Sequence, residues 1–155
     1  MKRRTAGLAI VSLIVICGAW VVYARRAFYS RYEMAADLRH VGSAVLDYMQ
    51  DTGTRPAMLE DLVAAGAFCS DGQGGVRIGA RGVVSEQRLR AMVLTIPPDP
   101  TSYGVLDGRV VNLVTHELPL LISSETAMAS YQTAINEDLA LRWYALVTGS
   151  SWPAK

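Results

Sequence analysis

The sequence has few of the residues that most enzyme and metal centres need. Its 155 residues include only two histidines and two cysteines. His116-Glu117 is followed by Leu-Pro, where a zinc-binding helix would place its second histidine further on, and no serine stands in a recognisable nucleophile motif. We therefore expect no enzymatic activity and no cofactor. Cys17 lies in an apolar run and Cys69 in the polar remainder, so we also expect no disulfide.

Acidic residues are absent from the first 26 positions, which carry five basic residues. The rest of the chain holds the other ten basic residues and all 14 acidic ones, so it is mildly acidic. A nucleic-acid-binding protein needs a basic face to neutralise phosphates, and we expect no such partner here. The length is that of one domain with a modest core.

Charge is also absent from the 19 residues Ala6–Ala24. A helix needs roughly 20 apolar residues to cross a bilayer, so this run predicts a membrane span. Three basic residues precede it and Arg25 and Arg26 follow it, which favours a single-pass anchor with a cytoplasmic N-terminus. We assign residues 8–26 to the membrane and residues 27–155 to a soluble head domain.

Other interpretations of the apolar run stay open. A secretory signal peptide would be cleaved after Ala24, at Val22-Tyr23-Ala24, and would leave a secreted domain that starts at Arg25. A lipoprotein signal needs a small residue directly before the cysteine, where Ile16 stands. The alternative to a membrane subunit is thus a small anchored or secreted domain of unknown binding function.

Helical spacing continues beyond the apolar run. Large apolar residues recur at intervals of three and four from Phe28 to Tyr48, with charged residues between them. Neither glycine nor proline interrupts Val21–Val41, so we predict one continuous helix from about Leu8 to Gln50, roughly 65 Å long. Gly42 is its weak point.

Turn signals divide the remainder of the head domain. In chain order, we first predict a turn over Asp51–Pro56. A short helix follows from Pro56 to Gly66, with Met58, Leu59, Leu62 and Val63 facing inward. We then predict a loop over Cys69–Gly82 that contains an edge strand at Val76–Ile78, and a helix from Ser85 to Leu94. Asp107-Gly108 then predicts a tight hairpin between Tyr103–Leu106 and Arg109–Thr115, followed by a strand at Leu118–Ser123. Asn136 reads as the N-cap of a last helix, Glu137–Thr148, which Gly149 ends. The fold class is α+β, with a long N-terminal helix packed on a small antiparallel sheet.

The start of the chain resembles the leader and hydrophobic start of type IV pilins and type II secretion pseudopilins. It reads Met1-Lys-Arg-Arg-Thr-Ala-Gly7, followed by Leu8-Ala-Ile-Val-Ser12. In that family a prepilin peptidase cuts after the glycine, the new N-terminus is methylated, and the helix runs unbroken through the membrane into a head domain. The resemblance implies a leader over residues 1–7, cleavage after Gly7 and a mature N-terminus at Leu8.

A second stretch is similar to the pseudopilin segment in which the helix ends at a tyrosine, an acid-glycine turn follows and a proline opens an L-x-x-L segment. Here these landmarks are Tyr48, Asp51-Thr-Gly53, Pro56 and Leu59-Glu-Asp-Leu62. Ile96-Pro-Pro-Asp99-Pro100 is similar to the P-x-D-P that often precedes the sheet of the family. The absence of a disulfide near the C-terminus favours a pseudopilin over a pilin.

The resemblance implies a structural subunit of an inner-membrane filament, with its head domain in the periplasm and other pseudopilin or membrane subunits as partners. The family usually has glutamate at the fourth position after the new N-terminus, where it pairs with the amine of a neighbouring subunit, but this chain has Ser12. Ser12 therefore implies a minor or tip subunit, or a relative that is never processed. Helix packing would use small residues such as Ser12, Gly18 and Ala19. Asp99 and Asp107 are similarly placed to a calcium loop of the family, although separated acids are more often turn residues.

Overall fold

A computed structural model of the chain describes the backbone of residues 2–79 and 82–150, with side chains from Ser12 onward. The helices are α1 (Lys2–Thr52), α2 (Leu59–Ala64), α3 (Glu86–Arg90) and α4 (Ala129–Thr148). The strands are β1 (Phe68–Ser70), β2 (Gly75–Ile78), β3 (Gly82–Ser85), β4 (Val93–Leu94), β5 (Tyr103–Leu106), β6 (Arg109–Asn112) and β7 (Ile122–Ser123). A short 3₁₀ turn covers Pro100–Ser102.

Helix α1 is continuous over 51 residues, which confirms the predicted single helix. At 1.5 Å per residue it is about 76 Å long. It ends where Gly53 takes a φ of +67°, and the Gly53 amide donates to the Met49 carbonyl at 2.9 Å. Glycine suits this position because an L side chain is strained in that left-handed conformation. The predicted turn after Asp51 is therefore confirmed.

The two halves of α1 have opposite surroundings. Its side chains are exposed from Ser12 to Glu33, apart from the partly covered Ala24 and Ala27, and one face of the helix becomes buried from Met34 onward. The predicted core face was wrong at its beginning, since Phe28 and Tyr32 are 49% and 45% exposed.

Helix α4 is the main partner of the buried half of α1. The two helices meet at Gly42, where an added Cβ would collide with Leu139 and come within 3.3 Å of Ile122. Leu139 and Trp143 of α4 are fully or almost fully buried, and Tyr103 packs edge-on against Trp143 with 5.4 Å between ring centroids. Trp143 is thus a core residue, and Gly42 permits the close approach of the helices.

Asn136 is not the N-cap of this helix. Helix α4 begins seven residues earlier, at Ala129, and Asn136 is fully buried in its interior. Its Oδ1 accepts from the amides of Leu121 (2.7 Å) and Ile122 (3.2 Å), and its Nδ2 donates to the carbonyls of Ile122 (2.8 Å) and Gln132 (3.0 Å). The Asn136 side chain thus forms hydrogen bonds with the backbone of Leu121 and Ile122 that a neighbouring strand would otherwise form. The predicted C-terminus is confirmed, because Gly149 has a φ of +66°.

The strands form three small antiparallel sheets rather than one. The predicted loop over Cys69–Gly82 was wrong, since β1, β2 and β3 form a meander with β2 at its centre, so Val76–Ile78 belongs to a central strand and not an edge. Gly72 and Gly74 take positive φ between β1 and β2, which lets the chain reverse within four residues.

The predicted hairpin is confirmed by the pairing of β5 with β6, with Leu106 opposite Arg109. Asp107 and Gly108 both take positive φ, at 50° and 76°, as a type I′ turn requires. Strand β6 stops at Asn112 instead of Thr115, because the Asn112 Oδ1 accepts from the amides of Val114 and Thr115 and turns the chain.

The remaining predicted elements are shorter in the structure. Helix α2 begins at Leu59, and Leu62 is buried as predicted, but Met58 and Val63 are 54% and 51% exposed. Ser85 caps α3 by accepting from the Arg88 amide, yet the helix ends at Arg90 because Val93 and Leu94 pair with β7. Of the strand predicted at Leu118–Ser123, only Ile122 and Ser123 pair. The overall class is confirmed as α+β with a long N-terminal helix.

Candidate membrane and assembly surface

The exposed half of α1 is a nearly uninterrupted apolar surface. Its large side chains are each more than half exposed: Leu13, Ile14, Val15, Ile16, Trp20, Val21, Val22 and Tyr23. Soluble proteins rarely leave an apolar surface of this extent in water. By length and composition α1 is able to cross a bilayer, and its most apolar window is entirely unburied. The membrane-spanning half predicted from the sequence is thus consistent with the structure in length and exposure.

The residues predicted to pack helices lie on this surface. Ser12, Gly18 and Ala19 are all exposed, and no atom lies within 4 Å of a Cβ added at Gly18. Seven residues bring a helix through almost two turns, so Ser12 and Ala19 share one face, whereas Gly18 lies about 100° from Ala19. Gly7 and Leu8, the predicted processing residues, are in the helical backbone, and the Leu8 side chain lies outside the described residues.

Aromatic residues follow the apolar surface on α1. Phe28 and Tyr29 are exposed and contact each other edge-on, and the Arg25 guanidinium lies 5.5 Å from the centroid of the Tyr29 ring. Tyr32 packs edge-on against Tyr131 of α4 at 5.2 Å. Tyrosine and arginine at this level are typical of the boundary between lipid and water. Sequence spacing gave no sign of Tyr131 in this cluster, because it is 99 positions from Tyr32.

An ion-pair clamp joins α3 to α1 directly after these aromatic residues along α1. The Arg88 Nη2 lies 2.6 Å from Glu33 Oε2, and its Nη1 donates to Asp37 Oδ2 at 2.9 Å. The hydrogen bond to Asp37, followed by that to Glu33, raises the pKa of Arg88 above its ordinary value. The clamp fixes one side of the head domain on the helix close to the point where the exposed half begins. The sequence analysis missed it, since Arg88 is 51 positions from Asp37.

The residues considered for metal binding have structural roles. The Asp99 carboxylate accepts from the Thr101 amide at 2.9 Å, and Asp107 forms the hairpin turn. His116 is exposed, at the bend after β6. Over residues 2–79 and 82–150, no three histidine, cysteine, aspartate or glutamate side chains are placed to hold a metal ion. Cys17 and Cys69 are both exposed free thiols.

The geometry is that of a long helix whose apolar first half is uncovered and whose amphipathic second half forms part of the core of a small α+β head. No protein-family model, curated protein or solved structure matches the chain. The features that bear on function are therefore its own: the uncovered helix, the aromatic and basic residues at its boundary, and the clamp that joins it to the head.

Proposed function

We propose that the chain is a structural, non-catalytic subunit of pseudopilin type. The first half of α1 anchors it in the inner membrane, with the N-terminus in the cytoplasm and the head domain in the periplasm. The observation that supports this proposal is the unbroken passage of α1 from an exposed apolar half to a half that forms the core of the head. When such helices pack side by side, each carries its head domain with it, because no linker separates the two.

Assembly into a type II secretion or type IV pilus-like filament would use the apolar half of α1. Helices in lipid associate through close van der Waals packing, which small residues permit, and Ser12 and Ala19 provide one such face. Ser12, in place of the glutamate usual in the family, favours a minor or tip subunit. The partners are then other pseudopilin or membrane subunits, and the prepilin peptidase that would cut after Gly7 and methylate Leu8.

The mature N-terminus tests this proposal. The chain is coexpressed with a prepilin peptidase, extracted from membranes and analysed by mass spectrometry. We expect the wild type to begin at methylated Leu8 and the Gly7→Asp variant to keep Met1, because the peptidase needs the small residue at the cleavage site. Thr5→Asp adds the same charge two positions away and serves as the control that should still be cut. An uncut wild-type chain in the presence of active peptidase contradicts the proposal.

The second candidate is a small anchored or secreted domain that is not part of a filament. Ser12 favours it, because a family subunit that assembles within a filament normally needs a carboxylate at that position. Val22-Tyr23-Ala24 provides a possible cleavage site for secretion. In the same mass spectra, a start at Arg25 identifies a secreted domain, and an intact Met1 with membrane retention identifies an anchored one.

A further inference from the structure

A concave notch of about 440 Å³ lies where α1 leaves the apolar run. One face of α1 lines it with Arg25, Arg26, Tyr29 and Glu33, and Arg88 of α3 closes it from the side of the head domain. We call this set of five residues the membrane-proximal notch. Arg26 and Glu33 follow Ala19 at intervals of seven residues, so the notch lies on the same face of α1 as Ser12 and Ala19, but beyond the end of the apolar run.

The charges of the membrane-proximal notch favour an anion. Arg88 is already paired with both Glu33 and Asp37, so the positive charge available to an anion is that of Arg25 and Arg26. Arg26 makes no ion pair or hydrogen bond with any residue that the structure describes. Within the part of the chain that the structure describes, Arg25 contacts the face of the Tyr29 ring and makes no ion pair or hydrogen bond, which leaves its guanidinium N–H groups available. The planar donors of arginine fit the oxygens of a phosphate group well.

The height of the notch relative to the bilayer indicates that the phosphate belongs to a lipid headgroup. A bilayer has a hydrocarbon core about 30 Å thick within a total of about 40–45 Å, so each headgroup layer is roughly 5–8 Å deep. Arg25 and Arg26 directly follow the charge-free run, and the rise from Arg25 to Tyr29 is about 6 Å. The lower part of the notch is therefore level with the lipid phosphates when the apolar run spans the membrane.

We infer that the membrane-proximal notch binds the phosphate of an anionic phospholipid in the leaflet that faces the head domain. Arg25 and Arg26 bind the phosphate, whereas Arg88 stays paired with Glu33 and Asp37 at the upper end of the notch. Such a lipid would hold the head at a fixed height on the membrane, because α1 continues without a break from Arg25 and Arg26 into the head. The inference rests on the membrane anchoring in the proposed function, but not on assembly into a filament.

Native mass spectrometry of the full chain in detergent micelles tests the inference. The micelles are doped with phosphatidylglycerol or phosphatidylcholine, and the retained lipids are counted. We expect clear preference for phosphatidylglycerol, and about fivefold weaker retention in Arg26→Gln, since one arginine near a membrane surface contributes about that factor. Arg31→Gln removes the same charge from the same helix outside the notch, and should change retention less than twofold.

Equal retention of the two lipids by the wild type, or equal losses in Arg26→Gln and Arg31→Gln, would overturn the inference. Displacement of the lipid by millimolar inorganic phosphate would overturn its source and identify a site for a free anion. Carbonate extraction of membranes that contain the full chain separates the lipid-binding proposal from the proposal of membrane anchoring. A chain that stays in the membrane but fails the lipid test refutes the notch alone, whereas a chain released by carbonate refutes the anchoring and the notch together.

Discussion

At Gly42, α1 has no side chain, and the contact with α4 is made by Leu139. Leu139, which an added methyl group would strike, is fully buried in the core. We expect Gly42→Ala to lower the free energy of unfolding of the head domain by about 1–2 kcal/mol, because overpacking a core costs more than the gain in helix propensity returns. Chemical denaturation of the detergent-solubilised chain, followed by the fluorescence of Trp143 after Trp20 and Trp152 are replaced by phenylalanine, measures this change.

The matched control is Gly18→Ala on the same helix, where the added methyl group meets no atom. It should leave the unfolding of the head domain unchanged. If both variants unfold like the wild type, α4 does not cross α1 at Gly42.

The carboxylate of Asp71 makes the stability of one exposed turn dependent on pH. Its carboxylate accepts from the amides of Gln73 and Gly75, both at 2.8 Å, and these bonds lower the pKa of Asp71 below its ordinary value of 3.8, the Gln73 bond most strongly. A lowered pKa means that the carboxylate stabilises the folded turn above the unfolded value and that this contribution is lost as the pH falls through the folded value. Carboxyl ¹³C NMR should show Asp71 titrating below an unperturbed aspartate. A pKa at or above 3.8 would contradict the observed bonds.

At the scale of elements, Asn136 connects α4 to β7. Its side chain replaces a strand partner for the backbone of Leu121 and Ile122 in a fully buried position. Asn136→Ala should lower the free energy of unfolding by about 1–3 kcal/mol, because it leaves buried backbone groups without partners. Asn136→Asp should keep the acceptor but lose the donor, and should therefore also be destabilised.

Hydrogen exchange gives a sharper readout than stability alone. In Asn136→Ala the amides of Leu121 and Ile122 should exchange faster relative to those of β5–β6. The control is Thr133→Ala, one turn earlier on the exposed face of α4. Uniform acceleration across the head domain would show that Asn136 does not act locally on β7.

The elements that the sequence predicted well are those with a strong local signal. The lack of glycine and proline from Val21 to Val41 was sufficient for α1, and Asp107-Gly108 was sufficient for the hairpin. The start of α4 was missed because Asn136 has the chemistry of an N-cap, although burial beside β7 decides its role. Strands of three or four residues among glycines, such as β1 and β2, are too short to show an alternating pattern.

Part of the candidate membrane and assembly surface was likewise predictable from the sequence, and part was not. The apolar half of α1 was evident from the absence of charge, which is a property of consecutive residues. The clamp of Arg88 on Glu33 and Asp37, and the contact of Tyr32 with Tyr131, depend on how distant segments meet. No spacing in one sequence reports such contacts, so the membrane-proximal notch became visible only in the folded chain.

At the scale of the whole molecule, the account depends on one rigid helix that spans the bilayer and continues into the head domain. The proposed transmission of helix packing to the head domains follows from that continuity, whereas membrane anchoring needs only the apolar half of α1. If the chain bent near Arg25–Phe28, the head would be a tethered domain that moves independently of its anchor. The exposed aromatic residues of α1 would then be free to leave the boundary between lipid and water.

The distance between two spin labels on α1 in a reconstituted bilayer tests this continuity most directly. Cys17 is a native exposed thiol in the apolar half, and Arg39 is exposed on the head-domain half. With Cys69→Ser removing the other thiol, labels at Cys17 and Arg39→Cys are 22 residues apart, or about 33 Å along an unbroken helix. We expect a single narrow distribution of pulsed-EPR distances near that value, whereas a broad distribution or a clearly shorter distance would contradict the account.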